Sequence, residues 1–115
     1  MIIAFDVDDT LIVPCIATGF DRDVPNYNTI AIYRWFQEQG NTMWVWSGGG
    51  ADYAKMWGEK LGLDANAYYG KDASGRNIIG ESAPRKPDIC FDDCIVELAT
   101  VNVRVKRINN QLKRQ

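Results

Sequence analysis

The chain has 115 residues, of which 46% are apolar and 24% charged, and its formal net charge is −2. This length suits one domain over residues 1–115, built on a single core. No apolar run approaches the ~20 residues that a membrane span needs, and Met1 to Asp6 carries no basic leader before its first carboxylate, so the expectation is a cytoplasmic protein with no signal peptide and no membrane partner.

Residues 2–7 read as a buried strand, a short apolar run that ends in acids. Residues 12–25 hold Pro14, Gly19 and Pro25 and read as a loop or a small flap. A helix is predicted over 27–39, capped by Asn26 or Asn28 and closed by Gly40, with Ile32, Trp35, Phe36 and Gln39 on one face. Thr42 to Trp46 is β-prone and apolar throughout, which marks a second buried strand. Ser47-Gly48-Gly49-Gly50 leads into a helix over 51–61, with Tyr53, Met56, Trp57 and Leu61 on one face and Gly62 at its end. A short strand is expected at 66–69, and 70–88 reads as a long connection rich in Gly, Ser, Pro and charge. Residues 89–91 form a further apolar strand candidate ending at Asp92 and Asp93. One or two helical turns are expected over 94–99, and the alternation from Val101 to Val105 fits an edge strand.

Strands that alternate with helices imply an α/β domain: a three-layer, Rossmann-like parallel sheet with helices on both faces. In such sheets ligands bind at the carboxyl ends of the strands. Three strand ends here carry polar clusters: Asp6 and Asp8, Ser47 with its glycines, and Asp92 with Asp93. Carboxylates gathered at one edge repel unless a cation joins them. Hard oxygen donors suit Mg²⁺, whereas zinc, copper or nickel would want nitrogen or sulfur ligands. Exposed backbone N–H groups at a glycine-rich strand-to-helix turn attract an anion, and glycine lets the backbone approach a phosphate closely.

The chain has no histidine, so acid–base chemistry falls to carboxylates, Lys, Tyr or Cys. Cys15, Cys90 and Cys94 are an odd number without metal-site spacing and read as reduced, buried thiols. The four tryptophans all sit on apolar strand or helix faces and read as core. Charge is uneven along the chain: residues 1–100 hold 8 basic and 15 acidic side chains, while the last 15 residues hold Arg104, Lys106, Arg107, Lys113 and Arg114 and no acid. That basic tail reads first as a solvated strand end, and alternatively as an attraction for a polyanion.

Residues 2–11, Ile-Ile-Ala-Phe-Asp-Val-Asp-Asp-Thr-Leu, resemble the first motif of the haloacid dehalogenase superfamily, an apolar strand followed by Asp-x-Asp-x-Thr/Val-Leu. Residues 43–47 are similar to its second motif, Lys86 with Pro87 to its third-motif lysine, and residues 89–93 to its fourth, an apolar strand ending in paired acids. The order is right and the match spans residues 2–93. Asp9 stands where many members have Gly, and Lys86 lies only six residues before Asp92, which leaves Lys71 as a rival for the lysine role.

The resemblance implies a Mg²⁺-dependent phosphatase without a cap domain. Asp6 would be the nucleophile that forms an aspartyl-phosphate, and Asp8 the general acid and then base. Lys86 would offset charge, while Ser47, Gly48 and Gly49 bind phosphoryl oxygens and Thr10 supports the loop. Asp6, Asp8 through its backbone carbonyl, and Asp92 or Asp93 would hold the metal. The substrate implied is a phosphate monoester, either a small molecule or a nucleic-acid end, because a capless site is open. Two alternatives stand beside this: a catalytically idle member of the same fold acting as a binding module, and a nucleic-acid-binding protein led by its basic tail.

Overall fold

Alternation along the apolar strands gives the sheet two different faces. The computed structural model describes residues 1–14, 22–72, 74, 78–79 and 85–107. Its strands are β1 (Ile2–Asp6), β2 (Ile12–Val13), β3 (Val24–Pro25), β4 (Thr42–Ser47), β5 (Ala67–Lys71), β6 (Ile78–Ile79), β7 (Ile89–Asp92) and β8 (Val101–Arg104). The helices are α1 (Tyr27–Glu38) and α2 (Ala51–Lys60). Six strands form one sheet in the order β6-β5-β4-β1-β7-β8, parallel except for the β5–β6 pair. The α/β expectation therefore holds, with β1 at the centre and β8 on an edge as its alternation suggested.

Both helices pack on one face. Ile3, Phe5, Met43 and Val45 project there against Tyr33 of α1 and Ala54 and Trp57 of α2. Phe5 meets Tyr33 edge to face at 5.2 Å and stacks on Phe91 at 4.6 Å, arrangements that add to the burial of area itself. Helix α2 lies so close to β5 that a Cβ on Gly58 would stand 2.4 Å from the Tyr68 ring. The opposite face carries Ala4, Trp44, Trp46, Tyr69 and Cys90, covered by Val96, Leu98 and Ala99. The expected second helical layer is not found among the described residues. The segment 94–99, where helical turns were expected, is bends and irregular backbone instead. Asn102 accounts for this: its Oδ1 accepts from the backbone N–H of Leu98 and Ala99, and its amide donates to the Ala99 carbonyl.

Asn26 is the cap of α1, its side chain accepting from Thr29 N. The buried face of α1 is Thr29 and Tyr33, rotated from the predicted one, so Trp35 and Ile32 are exposed. Three tryptophans (44, 46 and 57) are core and Trp35 is not. Cys90 is buried as expected, Cys94 is exposed, and Cys15 lies outside the described residues. The segment 12–25 contains a small antiparallel pair, β2 with β3. Among the described residues no helix is long and apolar enough to cross a membrane.

Candidate functional site

Residues two places beyond buried apolar ones on the non-helical face share that face. Ala4 leads to Asp6, Trp44 to Trp46, Tyr69 to Lys71 and Cys90 to Asp92, so the last members meet at the carboxyl edge of the sheet. Strand pairing sets Asp6 beside Trp46 and Ser47 beside Gly70. Lys71 starts two strands from β1 and reaches back across β4, its Nζ 5.9 Å from the Trp46 ring centroid. It ends 2.7 Å from Asp6 Oδ1 and 2.5 Å from Asp92 Oδ2, with all three side chains at most 8% exposed.

The structure places the rival lysine, Lys71, at this edge, and not Lys86. Lys86 is exposed and precedes β7, next to Asp88, whose carboxylate accepts from Ile2 N at 2.6 Å. It therefore lies at the amino-terminal edge of the sheet, a strand length from Asp6. The structure does not bring it to the other candidates.

The remaining candidates do converge. Thr10 Oγ1 donates to Asp6 Oδ2 at 3.1 Å. The loop between them is a tight turn in which the Val7 carbonyl accepts from Thr10, Leu11 and Ile12 N. Asp9 sits in it at φ 61°, a left-handed conformation that Asp tolerates better than most residues. Ser47 is buried, and its hydroxyl accepts from Gly49 N at 2.9 Å, which folds the glycine turn over the end of β4. Gly50 at φ 104° then starts α2. Asp92 Oδ1 accepts from Cys94 N, so both Asp92 oxygens are engaged. Asp93 accepts from Arg107 Nε at 2.7 Å, and from the Asp6 carboxyl when that group is protonated.

In the sequence, Tyr53 stands only as one of four residues on a common face of α2. Its hydroxyl donates to Asp8 Oδ1 at 2.9 Å, and its ring packs where a Cβ on Gly49 would come within 3.1 Å. It thus ties Asp8 to the glycine turn. Nothing in the periodicity separates such a tyrosine from a purely apolar one.

Electrostatics follow from burial. Desolvation, then the Asp92 charge, pushes the Asp6 carboxyl well above the usual range, and Lys71 opposes both. Burial likewise raises Asp92 against the pull of Lys71. Burial would lower Lys71, but Asp6 and Asp92 outweigh it and keep the ammonium charged. Burial would raise Asp93, yet its bonds with Asp6 and Arg107 hold it below the usual range. Burial, then the bond to Asp8, pushes Tyr53 up to about 12, so it remains a donor at neutral pH.

A cleft of about 440 Å³ opens over Asp6, Asp8, Ser47, Gly48, Gly49 and Lys71. Carboxylate oxygens are the donor type that a hard divalent cation such as Mg²⁺ takes, and Asp6, Asp92 and Asp93 supply such groups at this edge. Ligand atoms of Asp92, Asp93 and Cys94 lie within 4.8 Å of one another. Burial, then Asp93, raises the Cys94 thiol, which makes it a poor ligand for such an ion. Comparison with protein-family models, with curated proteins and with solved structures gives no match.

Proposed function

We propose that the chain is a Mg²⁺-dependent phosphomonoesterase of the haloacid dehalogenase type, working through an aspartyl-phosphate on Asp6. The observation that carries the reading is Lys71 bridging Asp6 and Asp92 at the carboxyl edge, with Asp8 and the Ser47 turn around the same cleft. Family resemblance in residues 2–11 supplies the chemistry, and the convergence of Asp6, Asp8, Thr10 and Ser47 supports it, with Lys71 in place of Lys86.

Lys71 pulls the Asp6 carboxyl down against the burial and the Asp92 charge that raise it, which favours the carboxylate form that attacks. Asp6 forms a bond to phosphorus as the ester P–O bond opposite breaks, and Asp8 gives its proton to the departing oxygen. Asp8 then takes a proton from water as that water attacks phosphorus and the Asp6 carboxylate leaves. Tyr53 holds Asp8 in place for both steps. The Ser47 hydroxyl would donate to a phosphoryl oxygen with Gly48 beside it, while the Gly49 and Gly50 amides bond to Ser47 and hold the turn. Asp6, the Asp8 backbone carbonyl and Asp92 or Asp93 would hold Mg²⁺. When bound, the ion neutralises and orients the transferring group.

Purified protein should release phosphate from an aryl phosphate in Mg²⁺ and not in EDTA, and Asp6→Asn should not release it. Wild-type rates in that variant would end the reading. The idle-module alternative expects phosphate binding with no release under either condition.

A further inference from the structure

We infer that a basic groove beside the Asp6 cleft binds a second phosphate on the substrate, which makes the favoured substrate a phosphate monoester bearing another phosphate or phosphodiester group. This rests on the phosphatase reading and narrows it. The groove, about 520 Å³, runs between the Asp93–Ile95 turn and Arg104, Val105, Lys106 and Arg107. It shares Asp93, Cys94, Ile95 and Arg107 with the cleft, so one molecule can occupy both.

The two cavities differ in charge. The cleft is lined by five aspartates (6, 8, 9, 72 and 93) against Lys71 and Arg107. Among the described residues, the groove is lined by three cations against Asp93. Arg107 stands between them, with Nε on Asp93 Oδ2. Arg104 is fixed by its backbone pairing in β8, opposite Asp92, and by Nε donating to the Asp93 carbonyl at 3.3 Å. Its terminal nitrogens and the Lys106 ammonium have no ion-pair partner among the described residues, and both side chains are exposed. Cations gathered at and just beyond a strand end favour a multiply charged anion over a neutral leaving group. The uncharged part of a substrate would cross the exposed Ile95.

The test measures equilibrium binding to full-length Asp6→Asn, which does not turn over, in Mg²⁺. The probes are adenosine 5′-monophosphate, adenosine 3′,5′-bisphosphate and a 3′-phosphorylated dinucleotide. The bisphosphate should bind about tenfold tighter than the monophosphate, as expected for two exposed charge contacts. Adding Arg104→Ala with Lys106→Ala should remove that preference, and so should high salt. Lys106→Ala alone, at an exposed side chain, should remove part of it if the Arg104 change disturbs folding. Preference for the dinucleotide over the bisphosphate would place a phosphodiester in the groove; the reverse order would place a terminal phosphate there. Equal binding of all three, or a preference that survives the double substitution, would overturn the inference. The two ideas separate: a bisphosphate preference without hydrolysis by wild type would sink the phosphatase reading and keep the groove, while aryl phosphate hydrolysis with equal binding would do the opposite.

Discussion

Lys71→Met removes the ammonium that joins the buried Asp6 and Asp92 carboxylates. Nζ lies 2.7 Å from Asp6 and 2.5 Å from Asp92, and the side chains are 1–8% exposed. With an effective dielectric near ~20, each contact attracts by about 6 kcal/mol, and withdrawing the charges from water offsets most of it. Removing one partner from such a buried set costs about 3–5 kcal/mol. Part of that loss is recoverable by protonation. Asp6 and Asp92 are already held above the usual carboxyl range, by burial first, and both rise further once Lys71 is gone. A carboxyl whose folded-state value exceeds its unfolded one adds stability below the unfolded value, and loses it as pH rises through the folded value. The penalty should therefore be small near pH ~4, the unfolded value, and grow toward the full about 3–5 kcal/mol above neutrality. Urea denaturation in EDTA across this pH range reads it directly. Lys86→Ala, run alongside, should change little because that lysine is exposed at the other edge. A Lys71→Met penalty under about 1 kcal/mol at pH 7.5, or one flat in pH, would refute the reasoning.

Other outcomes follow from single contacts. Tyr53→Phe should slow single-turnover hydrolysis about tenfold while leaving the urea midpoint nearly unchanged, since it removes one hydrogen bond to Asp8 and keeps the ring; an unchanged rate would show that Asp8 needs no such tether. Gly58→Ala gains about 1 kcal/mol of helix propensity but drives a Cβ into Tyr68, and the overpacking should leave the protein about 1–2 kcal/mol less stable in urea. A more stable variant would mean that α2 stands farther from β5. Mg²⁺ at about 100 times its dissociation constant should stabilise the wild type by about 2.7 kcal/mol. Asp93→Asn should lose most of that stabilisation; if it retains all of it in a thermal melt, Asp93 is no ligand.

Much of the architecture is legible because buried parallel strands are apolar runs that end abruptly in polar residues. β1, β4 and β7 have that form, and their ends supply Asp6, Ser47 and Asp92. β5 does not show its end. Gly70 looks like the start of a loop, so the predicted strand stops at 69 and Lys71 is assigned to the connection. Extending it two residues puts Lys71 on the same face as Tyr69, level with the other strand ends. Lys86 draws attention by its place in a motif order, which carries no information about which edge of the sheet a residue occupies. The helix faces are misjudged for a related reason. α1 contacts the sheet mainly through Tyr33 and Phe36, and its tryptophan, large and apolar, is left outside. Composition on a helix does not say which side the sheet will take when the helix buries only a narrow stripe.

The most direct test is to catch the intermediate. Asp8→Asn should retain attack by Asp6 on a good leaving group and lose the base that activates water, so the phosphorylated enzyme should accumulate. After an acid quench of that variant with an aryl phosphate and Mg²⁺, mass spectrometry should find one phosphoryl group on the peptide containing Asp6, removable by hydroxylamine and absent from the variant that also carries Asp6→Asn. Aryl phosphate turnover with no phosphoryl group on that peptide, or with the group on another residue, would contradict the mechanism.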